Sequence, residues 1–205
     1  MNNWSIQYLY PTQVYCAKVE NFDSIQDEIQ GVIEKSTFDY FSGFGQTHKL
    51  SQHFGPSDSS YLMGDLPIFN KELQTHIERY GKELKYYNNE YQVVNSWMTL
   101  FEKGDYAHIH NHNDVDYSGV YYFCKEPKAK DFFFESPVVG AKASAPYFGA
   151  RIYPPTETGH LMLFPGWLPH GVDRIATDGQ RYSLSFNIEF QKIDPDLPVI
   201  KCHIK

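Results

Sequence analysis

The 205-residue sequence predicts an α+β fold that is mainly β. Helical periodicity is confined to two segments ahead of residue 90. From about Tyr91, short β-rich segments follow one another with turn residues between them. The chain also carries 16 Tyr and 15 Phe, residues that suit half-buried pleated surfaces. Two helices followed by many short strands point to a double-sheet jelly roll or barrel with the N-terminal helices packed on it. The length fits one domain over 1–205, which can bury roughly two-thirds to three-quarters of its unfolded surface. Residues 1–90 form its helical and irregular part, 91–191 the β core and 192–205 a peripheral strand or tail.

Taken in order, residues 5–10 and 13–19 read as short strands around a Pro11 turn. Asp23-Ser24 reads as an N-cap. Beyond it Ile25, Ile29, Val32 and Ile33 share one helical face through about Lys35. Residues 38–64, rich in Gly, Ser and Phe without a clean period, read as a long irregular segment over one mouth of the fold. Pro67 suits the first turn of a second helix, whose stripe is Phe69, Leu73, Ile77, Tyr80 and Leu84. Strands follow at 91–101, 106–111, 117–124, 131–135, 149–153, 160–164, 170–175 and 181–191. Lys103-Gly104-Asp105, Glu126-Pro127, Pro154-Pro155 and Asp178-Gly179 supply turns.

A net charge of −7 argues against a nucleic-acid binder, which needs clustered Lys and Arg to neutralise phosphate. No apolar run approaches a membrane span, and the first residues lack a basic, apolar leader. Cys16, Cys124 and Cys202 are far apart and show no metal-ribbon spacing, which suits a reducing, cytoplasmic setting.

The chemistry concentrates in His108-Ile109-His110-Asn111-His112-Asn113-Asp114-Val115-Asp116. His110 and His112, two apart, project to one face of a strand, so one divalent ion can take both. His170, after the apolar run 161–164 and a Pro-Gly turn, can arrive from a neighbouring strand as a third ligand. Facial coordination by three protein groups leaves positions open for a co-substrate and dioxygen, as in non-heme Fe(II) oxygenases. Arg181 and Ser183 alternate onto one strand face, where a guanidinium grips a carboxylate through two parallel hydrogen bonds and a hydroxyl adds a third. A solvated hairpin and a surface salt bridge are the plain alternatives. His48, His53, His76, His160 and His203 are read as surface or satisfied core residues.

The strings Ser118-Gly119-Val120-Tyr121-Tyr122, Leu163-Phe164-Pro165-Gly166-Trp167-Leu168-Pro169-His170-Gly171-Val172 and Arg181-Tyr182-Ser183-Leu184-Ser185-Phe186-Asn187 resemble the 2-oxoglutarate/Fe(II)-dependent oxygenases. The likeness is to a small bacterial and phage branch and runs from residue 92 to 190. Ser96-Trp97 and Lys103-Gly104-Asp105 fall in register ahead of the histidines. The resemblance implies a cupin-like double-stranded β-helix and a hydroxylase using Fe(II), 2-oxoglutarate and dioxygen on an unidentified prime substrate. It implies His170 as the distal iron ligand, Arg181 with Ser183 on the distal carboxylate of 2-oxoglutarate, and Tyr121 or Tyr122 as a further hydrogen-bond donor. Tyr122 shares parity with Ser118 and Val120. The superfamily's usual signature is His-x-Asp or His-x-Glu, and three pairs stay open here: His110 with His112, His112 with Asp114 as a literal His-x-Asp, and His110 with Asp116. The leading set is His110, His112 and His170, with Asp116 ahead of Asp114 as the alternative carboxylate. A three-His, cupin-like enzyme that does not use 2-oxoglutarate would have no need of Arg181-x-Ser183. A non-catalytic jelly-roll binding protein would bind no iron tightly.

Overall fold

The computed structural model describes residues 11–54, 61–84, 90–124, 131–137, 151–190 and 200–201. Its strands are β1 (Tyr15–Lys18), β2 (Phe38–Tyr40), β3 (Lys49–Ser51), β4 (Glu90–Phe101), β5 (Ala107–His110), β6 (Tyr117–Cys124), β7 (Phe132–Glu135), β8 (Arg151–Ile152), β9 (His160–Pro165), β10 (His170–Val172), β11 (Arg181–Glu189) and β12 (Ile200–Lys201). The helices are α1 (Phe22–Ile33) and α2 (Pro67–Glu83). The larger antiparallel sheet runs β1-β9-β6-β11-β4-β3-β2, with β12 also on β4, and the smaller runs β5-β10-β7-β8.

The larger sheet has an apolar face toward the helices and a mixed face toward the smaller sheet, because side chains alternate along each strand. Tyr117, Tyr121 and Phe123 of β6, Leu184, Phe186 and Ile188 of β11, and Leu161 and Leu163 of β9 pack with Ile25 and Ile29 of α1 and Phe69, Leu73 and Ile77 of α2. The opposite parity, Val120, Tyr122, Met162 and Phe164, packs between the sheets against Phe132 and Phe134 of β7. Burying a side chain of this size contributes roughly 1.5–3 kcal/mol. Gly119 falls on the helix-facing parity, where a Cβ would collide with the ring of its cross-strand partner Phe186. Its missing side chain is the slot that Phe186 fills.

Most predicted elements are present, with local corrections. Helix α1 starts at Phe22 with Asn21 at its N-cap, not at Asp23-Ser24. The Asn21 amide donates to Glu72 Oε2 (2.7 Å) instead of accepting from the helix, and Asp23 sits in the first turn, where a negative charge suits the helix dipole. α1 in turn caps α2: Glu28 accepts the Ile68 and Phe69 N–H groups, each at 2.8 Å. Pro67 occupies the first turn of α2 as predicted. The segment read as irregular contains β2 and β3, an antiparallel pair that extends the larger sheet beyond β4. Each is three residues long, too short for alternation to show in the sequence. The predicted strand at 5–10, the Glu126-Pro127 turn and most of the C-terminal tail lie outside the described residues; of the tail, β12 is paired with β4.

Candidate metal and co-substrate site

Cross-strand pairing sets two of the three histidines side by side. His110 at the end of β5 is the register partner of His170 at the start of β10. His112 lies just past β5, and its N–H donates to the Gly166 carbonyl at 2.7 Å. Gly166 is obligatory there: a Cβ would meet the Val115 carbonyl and come within 2.6 Å of the His112 carbonyl. The imidazole of His112 then crosses to the larger sheet, and the three ring centroids lie 4.3–5.3 Å apart. One ring nitrogen from each falls within 4.8 Å of the others.

Hydrogen bonding sets the tautomer of each ring. His110 Nδ1 donates to the His108 carbonyl (2.8 Å), and His170 Nδ1 donates to the Leu168 carbonyl (2.9 Å). His112 Nδ1 faces the Asn187 amide oxygen at 2.7 Å, and Ser118 Oγ donates to the same oxygen at 2.8 Å. Carbonyl and amide oxygens only accept, so Nδ1 carries the proton and Nε2 keeps its lone pair in each ring. Enclosure by protein holds all three below the ordinary histidine range, His170 well below it. For His170 the charge of nearby His110 adds to that depression, and the Leu168 bond partly offsets it. Three neutral imidazoles with free Nε2 atoms are the form a divalent metal binds. His170 is also walled by Phe164, Phe132 and Phe134, with centroids at 4.9, 5.8 and 6.5 Å.

Neither aspartate joins this group among the described residues. Asp116 Oδ2 accepts the Phe190 N–H at 3.0 Å, and its carbonyl accepts the Gly166 N–H, so it anchors the loop. Asp114 is exposed at the rim of the cavity.

The histidines open onto a cavity of about 430 Å³ between the sheets. Its floor on the larger sheet reads as cross-strand rows. Ser118, Asn187 and Asn95 lie nearest His112, then Val120, Ser185 and Trp97, then Tyr122, Ser183 and Thr99, and last Arg181 beside Phe101. Tyr122 therefore faces the cavity, while Tyr121 turns to the helices and takes a hydrogen bond from Gln26. Arg181 is buried; its guanidinium carbon is 5.1 Å from the Tyr122 ring centroid and 5.5 Å from that of Phe101. The Tyr122 hydroxyl is buried beside Arg181, and burial pushes its pKa far up despite that neighbour. Arg181 forms an ion pair with Asp131, also buried.

Several contributors had no role assigned from sequence. Asn187 and Ser118, which hold His112, share the parity of Ser183 and of Tyr122, and extending that alternation finds them. Trp97 packs near His112, 6.2 Å between centroids. His48 lies on the cavity wall stacked on Phe101, not on the surface or deep in the core. Asp131 has no local signal. His76 is a satisfied core residue between the Tyr15 hydroxyl (2.8 Å) and Glu72 (3.3 Å), as expected. His53 and His160 bond local groups, Ser51 Oγ and the Glu157 carbonyl, and His203 lies outside the described residues.

Two facing antiparallel sheets form a jelly roll, and the imidazole cluster at one mouth is a group that could hold a metal ion. Residues 95–187, spanning most of β4 through β11, match the family model described as "Putative 2OG-Fe(II) oxygenase". HygX from Streptomyces hygroscopicus, solved with nickel, 2-oxoglutarate and hygromycin B, shares the fold with TM-score 0.61 at 12% identity, over 88% of this chain and 84% of that one. A prolyl hydroxylase from Trichoplax adhaerens, in complex with a hypoxia inducible factor peptide, gives 0.58 at 12% identity over 87% and 84%. A Pseudomonas putida prolyl-4-hydroxylase gives 0.54 at 14% identity over 88% and 94%. No curated protein matches the chain. Residues 95–187 are thus similar to the 2-oxoglutarate/Fe(II) oxygenases, and the solved structures above share the fold of the chain. No helix among the described residues is long and apolar enough to cross a membrane.

Proposed function

We propose that His110, His112 and His170 hold the iron through Nε2 and that Arg181, Ser183 and Tyr122 receive the distal carboxylate of 2-oxoglutarate. The enzyme then hydroxylates a second substrate admitted past the exposed rim residues His108, Asn111 and Asp114. The observation carrying this reading is the position of the two donor sets on one cavity, free imidazole nitrogens at one end and a buried guanidinium at the other.

Iron held by His110, His112 and His170 would supply dioxygen activation, with 2-oxoglutarate oxidised to succinate and carbon dioxide and one oxygen atom passing to the second substrate. The protein's own contribution is positional. Ser118 and Asn187 fix the His112 ring, and the His108 and Leu168 carbonyls fix the other two. The Arg181 guanidinium and the buried Tyr122 hydroxyl give the carboxylate a defined seat, and the phenylalanines around His170 exclude water from that side. Cys16 is free, a state that a reducing cytoplasm preserves, and we place the enzyme there.

Anaerobically reconstituted protein given Fe(II), 2-oxoglutarate and dioxygen should form succinate, and His170→Ala should not. Succinate formation at the wild-type rate by His170→Ala would refute the ligand assignment.

A further inference from the structure

Three imidazoles bring no charge to the metal, whereas a two-His, one-carboxylate site gives Fe(II) one anionic ligand. The smaller sheet offers a carboxylate elsewhere. Asp131, just ahead of β7, is 6% exposed and pairs with Arg181, itself 5% exposed. Its Oδ1 accepts the Phe132 N–H at 2.9 Å, and its carbonyl accepts the Asp173 N–H at 2.8 Å, so the carboxylate is fixed in place. Burial raises its pKa against the pull of Arg181, which is the cost of keeping this charge out of water.

We propose that Asp131 supplies, from beside Arg181, the negative charge that the metal ligands here do not. The proposal rests on the iron and 2-oxoglutarate reading above. In the loaded pocket Fe(II) and the 2-oxoglutarate dianion cancel, and Arg181 and Asp131 cancel. Without Asp131 the same enclosed pocket holds one uncancelled positive charge. Asp131 is thus a positioning residue with an electrostatic role. It occupies the Nη1 side of the guanidinium, leaves the remaining N–H groups for the co-substrate, and repels the incoming carboxylate. That repulsion moderates the grip on dicarboxylates and lets the succinate dianion leave.

Asp131→Asn keeps the shape and an acceptor while removing the charge. With Ni(II) in place of iron, so that no turnover occurs, calorimetric titration should show 2-oxoglutarate and succinate both binding about tenfold tighter than to wild type. The metal-free variant should melt below wild type, because Arg181 is left buried and unpaired, and should gain more from added 2-oxoglutarate. Asp131→Glu, which keeps the charge, should bind both acids more weakly than Asp131→Asn does. Equal or weaker binding by Asp131→Asn overturns the proposal. Wild-type protein with Ni(II) that takes up no 2-oxoglutarate overturns the site reading as well, which separates the two failures. Should Asp131→Asn not fold, wild type decides the matter with 2-oxoglutaramate, the C5 amide. A half-neutralised Arg181 should lose less than about tenfold on that exchange, and a loss above about a hundredfold refutes the balancing role.

Discussion

Asn187→Ala takes one oxygen from two donors at once. His112 Nδ1 at 2.7 Å and Ser118 Oγ at 2.8 Å both point at the Asn187 amide oxygen, and Asn187 and Ser118 are 6% and 2% exposed. Two costs follow, on different readouts. The stability cost is that of buried donors left short of an acceptor, about 1–3 kcal/mol. For a chain of this length that lowers the melting temperature by roughly 2–12 °C. The metal cost arises because His112 is no longer held in one tautomer and orientation, about ten- to a hundredfold in affinity. The Ser118 oxygen, 3.0 Å away, can accept from His112 Nδ1–H in its place, so affinity falls without vanishing. Thermal melts of metal-free protein and Ni(II) competition against a chelator separate the two numbers. Asn187→Asp keeps the acceptor and should retain metal affinity. Unchanged Ni(II) affinity in Asn187→Ala, alongside a lowered melting temperature, would refute the claim that this contact orients a ligand.

His170→Ala should lose stoichiometric metal, read by metal analysis after desalting, since it removes the most buried imidazole of the three. His112→Ala should lose metal while Asp114→Ala and Asp116→Ala keep it; Asp116→Ala should instead melt lower by freeing the Phe190 N–H, a cost of about 1 kcal/mol. Arg181→Lys should weaken 2-oxoglutarate binding by roughly thirty- to a thousandfold in calorimetry and spare Ni(II), because a point charge cannot reproduce the planar fork. Gly166→Ala should push the His112 backbone off by about 1 Å and cut succinate formation about a hundredfold. His48 and His76 are held below the ordinary histidine value chiefly by burial, so the unfolded chain takes up their protons first. Metal-free stability should therefore fall as pH drops below about 6.5, and a melting temperature flat from pH 8 to 5 would contradict this.

The β core was legible because its strands alternate over many residues, and the same alternation put Arg181 and Ser183 on one face. It stopped short of choosing between Tyr121 and Tyr122, since that needs knowledge of which face the helices cover. Three-residue strands such as β2 and β3 leave no periodic trace, and their pairing with β4 is set by tertiary contact. The Asn21 cap was masked for a related reason: its amide serves Glu72, a partner 51 positions away. The choice between His112 and an aspartate turns on tertiary contacts that sequence does not carry, such as the Phe190 N–H that Asp116 accepts. Asp131 illustrates the firmest limit, because a lone carboxylate in sequence says nothing about the guanidinium it will meet.

Strand β11 writes two messages on one ribbon. Its odd positions, Arg181, Ser183, Ser185 and Asn187, line the cavity, and its even positions Leu184, Phe186 and Ile188 lie in the apolar layer under the helices. A single-residue insertion or deletion upstream of Arg181 that shifted the strand's register would swap the two sets, driving a guanidinium and an amide into the oily layer and leucine and phenylalanine into the cavity. Such a frame error is lethal to folding and chemistry together, so length variation within this strand is forbidden in steps of one. Sequence drift that retunes this enzyme's substrate must therefore work by exchange of side chains at fixed positions, or through the loops around the rim.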